Sequence, residues 1–248
     1  MDIIEINNLN YTYKDKQIFE NLNLKIKNKS FTTILGPNGS GKTTLAKLIT
    51  TKNKHIKTYT NSIYLITTNP DTQIIGKTVK EQLTFYLKQN NTDNKIIDEK
   101  LKKIINEFKL KDIINIDPYE LNNEQKQIII ILSITISNPE LLILDNALCF
   151  ISSYQKNKIL KYLKKQKITI INFTNDTEEC MYSNNIVIIN KQVLLNKPLK
   201  NALKEEKLFL NNNIKLPFIA ELANKLKYYN LLDDIVLKKE EMVNKIWN

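Results

Sequence analysis

Three of the four glycines in this chain, Gly36, Gly39 and Gly41, fall within six residues. They belong to Gly36-Pro37-Asn38-Gly39-Ser40-Gly41-Lys42-Thr43, which satisfies G-x-x-x-x-G-K-[ST]. In such a loop, successive backbone N–H groups converge on an anion, and the positive end of the next helix adds to them. Lys42 would reach the β- and γ-phosphates of a nucleotide, and Thr43 would ligate Mg²⁺; Thr44 completes the candidate binding set. The bland alternative is a glycine-rich turn with Lys and Thr by coincidence. Retention of glycine here, in a chain almost emptied of it, argues for the phosphate loop. A second candidate is Asp145, which closes the apolar run Leu141-Leu142-Ile143-Leu144. It is either a carboxylate that holds Mg²⁺ through water or a plain N-cap or loop aspartate.

The elements around these residues follow from hydrophobic period. Residues Asp2–Tyr13 and Asn23–Ile26 alternate apolar and polar positions, as strands of a partly exposed sheet would. Phe31–Leu35 reads as a short strand that stops at Gly36, and Thr43 to about Thr51 as a helix. Ser62–Thr67, Leu141–Asp145 and Ile168–Phe173 read as buried strands. Helices are expected over Val79–Gln89, Ile96–Leu110 and Glu124–Ser137, the last apolar nearly all round. Ile186–Ile189 and Gln192–Leu195 resemble a terminal hairpin, and the chain beyond about Lys197 reads as purely helical. Strands alternating with helices imply an α/β fold with both sheet faces covered.

Composition narrows the class. The 248 residues carry 37 basic and 26 acidic side chains, a formal charge of +11, yet every basic residue is lysine. Asn and Ile each supply more than one residue in ten. This uniform bias reads as drift toward A·T-rich codons, and no nucleic-acid partner is expected, because a base-reading surface without arginine lacks the commonest guanine contact. The two cysteines, Cys149 and Cys180, make no disulfide framework and read as small apolar fillers. His55 reads as solvated surface and Glu178–Glu179 as an exposed helix start. Met-Asp-Ile-Ile-Glu lacks the basic start and apolar core of a signal peptide, and the longest apolar run, Ile128 to Ile136, is far short of the ~20 residues a spanning helix needs. A soluble chain in a reducing cytoplasm is expected.

With the phosphate loop and Asp145 in place, the chain resembles the ATP-binding subunits of ABC transporters over nearly its whole length. Thr68-Asn69-Pro70-Asp71-Thr72-Gln73-Ile74-Ile75-Gly76-Lys77-Thr78-Val79 is similar to the loop beginning Q-N-P-D-x-Q of one branch, the energy-coupling-factor (ECF) transporters of vitamins and metal micronutrients. Leu216-Pro217-Phe218-Ile219-Ala220-Glu221-Leu222 and Glu241-Met242-Val243-Asn244-Lys245-Ile246-Trp247 resemble the first of that branch's two paired ATPase subunits. The resemblance implies a P-loop NTPase (ABC ATPase) fold with an N-terminal antiparallel β-subdomain. It also implies an ATP-binding domain over residues 1–200, a helical signature subdomain at about 78–138 and a helical extension over 201–248. Tyr13 would stack on adenine, although an ordinary strand aromatic is the rival account.

The departures fall on the hydrolytic positions. The family's γ-phosphate-sensing glutamine corresponds to Thr68, the glutamate after the metal aspartate to Asn146, and the switch histidine to Asn175. The signature Leu-Ser-Gly-Gly-Gln reads Leu121-Asn122-Asn123-Glu124-Gln125, with Ile128 for the following arginine, and the aspartate of the loop beyond Asp145 corresponds to Ser152. Asn146 and Asn175 are neutral amides with no useful basicity near pH 7. Glu124 places a carboxylate where the family offers a glycine N–H to phosphate, a repulsive choice unless the side chain turns away.

The resemblance therefore implies a subunit that holds ATP and Mg²⁺ and hydrolyses slowly. It would pair head to tail with a second ATP-binding subunit, and dock on a transmembrane coupling subunit that engages a substrate-capture subunit. Its place would be the cytoplasmic face of the membrane, as a peripheral protein. Ile74 and Ile75, beside the Asn-Pro-Asp loop, would border the groove for the coupling subunit, or be plainly buried. A non-hydrolysing regulatory or interaction protein with ATP as structural glue is the alternative of a different class. A P-loop kinase is disfavoured by the long matching region between phosphate loop and metal aspartate.

Overall fold

The computed structural model describes residues 1–51 and 53–247; Asn248, at the end of the expected extension, lies outside the described residues. The chain divides into two compact units, Met1–Tyr59 with Ile171–Asn248, and Thr60–Ile170.

The first unit opens with a long antiparallel hairpin, β1 (Asp2–Tyr13) and β2 (Lys16–Lys27). Its turn is Lys14-Asp15, with both residues at positive φ (43° and 62°), the backbone that matches the right-handed twist of the flanking strands. The expected second strand, Asn23–Ile26, is thus only the end of a longer one. Its alternation is broken at Asn21, which takes φ 49° beside a register shift in the pairing. β3 (Phe31–Leu35) is buried at all five positions, which leads into the glycine loop and α1 (Lys42–Thr50). A short strand, β4 (Ile56–Thr58), pairs antiparallel with β1 and has no counterpart in the sequence reading. His55 precedes it half-buried, its Nδ1 3.3 Å from Asn7 O, so it is less exposed than expected.

The second unit begins with β5 (Ile63–Ile66). Helix α2 (Val79–Gln89) is capped by Thr78, whose hydroxyl accepts from Glu81 N, and runs over the residues expected. α3 (Asn94–Phe108) buries Ile97, Leu101, Ile104 and Phe108 along one stripe. α4 (Asn123–Thr135) is buried continuously from Lys126 to Thr135, as its all-round apolar pattern requires. β6 (Leu141–Asp145) pairs parallel with β5, Ile63 opposite Leu141 and Ile66 opposite Leu144. α5 (Ser153–Lys165) is absent from the sequence reading, although Ile159, Leu160 and Leu163 bury one face at helical spacing. Its six lysine and glutamine positions hide that face in a polar average. β7 (Thr169–Phe173) straddles the division between the units.

Back in the first unit, β8 (Asn185–Asn190) pairs parallel with β3, and β9 (Gln192–Pro198) antiparallel with β8. Four helices follow: α6 (Leu199–Ala202), α7 (Glu206–Asn211), α8 (Phe218–Tyr228) and α9 (Lys239–Trp247). The first of these pack on β8 and β9 through Ala202, Leu203 and Phe209, sharing one apolar cluster with Leu35, Ile186 and Ile188. Two expectations are corrected here. Glu179 is only 2% exposed and accepts from Asn172 Nδ2 at 2.8 Å, so the Glu178–Glu179 pair is half interior. Cys180 is buried as a filler would be, whereas Cys149, in the second unit, is exposed.

Candidate nucleotide site

The phosphate loop lies wholly in the first unit. Strand β3 delivers the chain to Gly36, where a Cβ would lie 2.4 Å from Ile189 O, and the loop turns through Gly39 and Gly41 at φ 81° and 94°. Lys42 is 6% exposed, and its Nζ donates to Gly36 O at 2.7 Å and Pro37 O at 3.0 Å. The ammonium is therefore folded back across the loop. Ser40 is buried, and its Oγ has no hydrogen-bond partner among the described residues. Thr43 is exposed and Thr44 half-buried on the first turn of α1. Tyr13, at the end of β1, is 58% exposed with Lys14 Nζ 5.8 Å from its ring centroid.

Asn175 follows β7 in the same unit, and its Nδ2 donates to Asn38 Oδ1 at 2.9 Å. This amide pair joins the segment after β7 directly to the phosphate loop. Both border a cavity of about 420 Å³, within the ~300–1,000 Å³ range typical of small-ligand sites. Gly36, Pro37, Thr174 and Asp176 complete much of its wall, and Asn213 and Lys215, from the segment before α8, close it. Tyr13 and Thr43 are outside that wall. Asn213 and Lys215 were not anticipated. They stand nearly 180 residues from the loop, and no motif marks them.

The other candidates sit in the second unit. Asp145, 4% exposed, ends β6, and Asn146 takes the left-handed region at φ 49°. Thr68 is half-buried after β5. The loop beyond it is held by side chains: Gln73 Nε2 donates to Leu65 O at 2.8 Å and Gln73 Oε1 accepts from Thr67 N at 3.0 Å. Gln82 Oε1 accepts from Ile75 N and Gly76 N at 2.7 and 3.0 Å. Lys126 Nζ meets Asp71 Oδ1 at 2.9 Å, and Gln127 Nε2 donates to Thr67 O at 3.1 Å, so α4 and this loop are joined at two points. Ile74 is half-buried and Ile75 51% exposed.

The segment Leu121–Gln125 forms a well-made helix start. Leu121 is buried, and Asn122 Oδ1 accepts from Gln125 N at 2.9 Å while Gln125 Oε1 accepts from Asn122 N at 3.2 Å, a reciprocal capping box that leaves Asn123 exposed. Glu124 bonds to the turn before α5. Its Oε1 accepts from Ser152 N at 2.9 Å and Ser152 Oγ at 2.6 Å, and these bonds hold its carboxyl below the usual carboxylate range.

The donors suit the groups that the loop motif implies. Positive-φ glycines, an ammonium folded across the loop and a buried unpartnered hydroxyl fit an anionic phosphate chain. The Thr43 hydroxyl, in the first unit, is a hard oxygen donor of the kind Mg²⁺ prefers.

Residues 19–149 match the family described as ABC transporter, more than half of the chain. The chain belongs to the ABC transporter family. Among curated relatives of this ABC transporter chain is the energy-coupling factor transporter ATP-binding protein EcfA1 of Mycoplasmoides gallisepticum, 26% identical over 98% of this chain and 95% of that protein. The ATP-binding protein EcfA of Onion yellows phytoplasma is 30% identical over 95% of this chain and 92% of its own length. The fold matches that of cbiO1 from Clostridium perfringens, part of the ABC transporter complex cbiONQ, with TM-score 0.70 and 24% identity over 89% of this chain and 98% of that one. No helix among the described residues is long and apolar enough to cross a membrane.

Proposed function

We propose that this chain is the ATP-binding subunit of an ECF-type importer of vitamins or other micronutrients, and the hydrolysis-impaired half of an asymmetric ATPase pair. The carrying observation is the contrast between a complete phosphate cradle, Gly36–Thr43, and neutral amides at Asn146 and Asn175. Similarity to ECF transporter ATP-binding proteins along almost the whole chain supports the transporter assignment. A second ATP-binding subunit, a transmembrane coupling subunit and a substrate-capture subunit are the partners, at the cytoplasmic membrane face.

The work of each side chain follows from its chemistry. Lys42 neutralises the β- and γ-phosphates, and the loop amides fix their position. Thr43 and Asp145 would hold Mg²⁺, which offsets phosphate charge when bound. Asn175, bonded to Asn38, positions the loop instead of exchanging a proton. Asn146 orients water without taking its proton, and loss of a general base typically costs 10²–10⁴ in rate, about 3–5 kcal/mol of barrier.

In a head-to-tail pair, the site on Gly36–Thr43 draws its base and switch positions from this chain, whereas the opposite site borrows only Leu121–Gln125 from it. Turnover is therefore expected at the opposite site. The test is phosphate release from the assembled complex with each phosphate-loop lysine replaced separately, followed by nucleotide trapping. Intact ATP at Gly36–Thr43 after several turnovers supports the asymmetry, and ADP there overturns it.

A further inference from the structure

The second unit holds an ionised group that the mechanism leaves unused. Glu124 stands in the first turn of α4, where a negative charge suits the helix dipole but opposes any phosphate brought to the same helix end. Its carboxylate is engaged instead by Ser152, 28 residues away at the start of α5, which offers both its backbone N–H and its hydroxyl to one oxygen. The side-chain oxygens of Asn122 and Gln125 are engaged by backbone N–H groups in the capping box, and Ser152 supplies both hydrogen bonds to the Glu124 oxygen.

We propose that Ser152 is a positioning residue: it clasps Glu124, holding that charge against the loop after β6 and leaving the α4 N-terminus able to receive the nucleotide carried by the partner subunit. The inference rests on the proposed head-to-tail pairing. It explains how two departures from the family's pattern, a glutamate in the signature and a serine in the following loop, coexist in one chain. The glutamate alone repels phosphate. With the serine it is stabilised away from it, and it ties the turn before α4 to the turn before α5 so that the two move as one.

The experiment uses the full chain co-purified with the second ATPase subunit and measures the ATP concentration that half-saturates their association. Ser152→Ala removes the hydroxyl donor, keeps the backbone N–H, and is expected to raise that concentration about tenfold, with the deficit shrinking as salt screens the loosened carboxylate. Ser152→Thr, which keeps the hydroxyl, is expected to match the unsubstituted pair. Glu124→Gly removes the charge, so Ser152→Ala added to it is expected to have no further effect. A double variant as impaired as Ser152→Ala alone would show a merely structural serine and overturn the inference. So would a Ser152→Ala chain that associates normally. Absence of ATP-dependent association in the unsubstituted pair would overturn the functional reading and the clasp together.

Discussion

Replacing Gly41 by alanine tests whether the phosphate loop is set by backbone conformation or by space. Gly39 and Gly41 both hold positive φ, 81° and 94°, which costs an alanine about 1–2 kcal/mol. They differ in surroundings. A Cβ at Gly39 meets nothing within 4 Å, whereas at Gly41 it would lie 2.6 Å from Cε1 and Cζ of Phe19 and 2.7 Å from Ile18 Cγ2. Phe19 is fully buried, so its ring has no route outward, and overpacking of this kind costs a further ~1–3 kcal/mol. Gly41→Ala is thus expected to destabilise by about 2–5 kcal/mol and Gly39→Ala by about 1–2. For a chain of this length, a kilocalorie lowers the melting temperature by about 2–4 °C. The gap between the variants is then ~2–12 °C, read by circular dichroism without nucleotide. Trimming the ring with Phe19→Leu is expected to recover at least ~0.5 kcal/mol in the Gly41→Ala background beyond additivity. Equal melting temperatures for the two glycine variants, or strict additivity with Phe19→Leu, would refute the steric account.

Lys42→Ala is expected to abolish most of the thermal shift produced by Mg²⁺–ATP, and an undiminished shift would remove the loop from the binding site. Lys215→Ala is expected to weaken ATP binding by about two- to fivefold, measured by calorimetry, because an exposed cation beside phosphate is worth only ~0.5–1 kcal/mol. Thiol titration of the native chain is expected to modify Cys149 within minutes and Cys180 only after unfolding, since Cys180 is buried and burial pushes its thiol far up. Glu178→Ala removes the carboxylate that accepts from Phe218 N at 2.6 Å, and faster amide exchange in the first turn of α8 is the expected result, with the remaining helices unchanged.

Legibility in the sequence followed the number of residues that a signal spans. The phosphate loop, β6 with Asp145 and the buried helix α4 were readable because eight, five and thirteen adjacent residues carry one physical demand each. α5 was lost because its apolar face is diluted by lysines, and β4 because three residues are too few for a period. Glu124 and Ser152 were each visible as departures, but their bond depends on chain folding between positions 28 apart. Lys215 and Asn213 carried no local signal at all, and only packing brings them to the wall of the cavity beside Gly36. The burial of Glu179 was hidden for the same reason, since its partner Asn172 lies in β7.

The scarcity of glycine and the abundance of asparagine are two sides of one physical substitution. Among the described residues, twelve that are not glycine take positive φ, and seven of them are asparagine. Asparagine tolerates the left-handed region because its short polar side chain bonds locally, so it supplies turns where only conformation is required. Asn8, Asn21, Asn138 and Asn230 serve in this way, and so does Asn213 at the cavity wall. The exchange fails where a side chain has no room, as at Gly41 against Phe19, although Gly39 is glycine in open space. Asn146 then gains a second meaning. It stands at φ 49°, directly after Asp145, in a conformation that asparagine accepts more readily than glutamate. Asparagine at this position is thus also a residue that suits this backbone, which four lysines and one aspartate of the chain adopt as well. Restoring glutamate there would place a longer side chain in the left-handed region, so the proposed impairment and the local backbone favour the same residue.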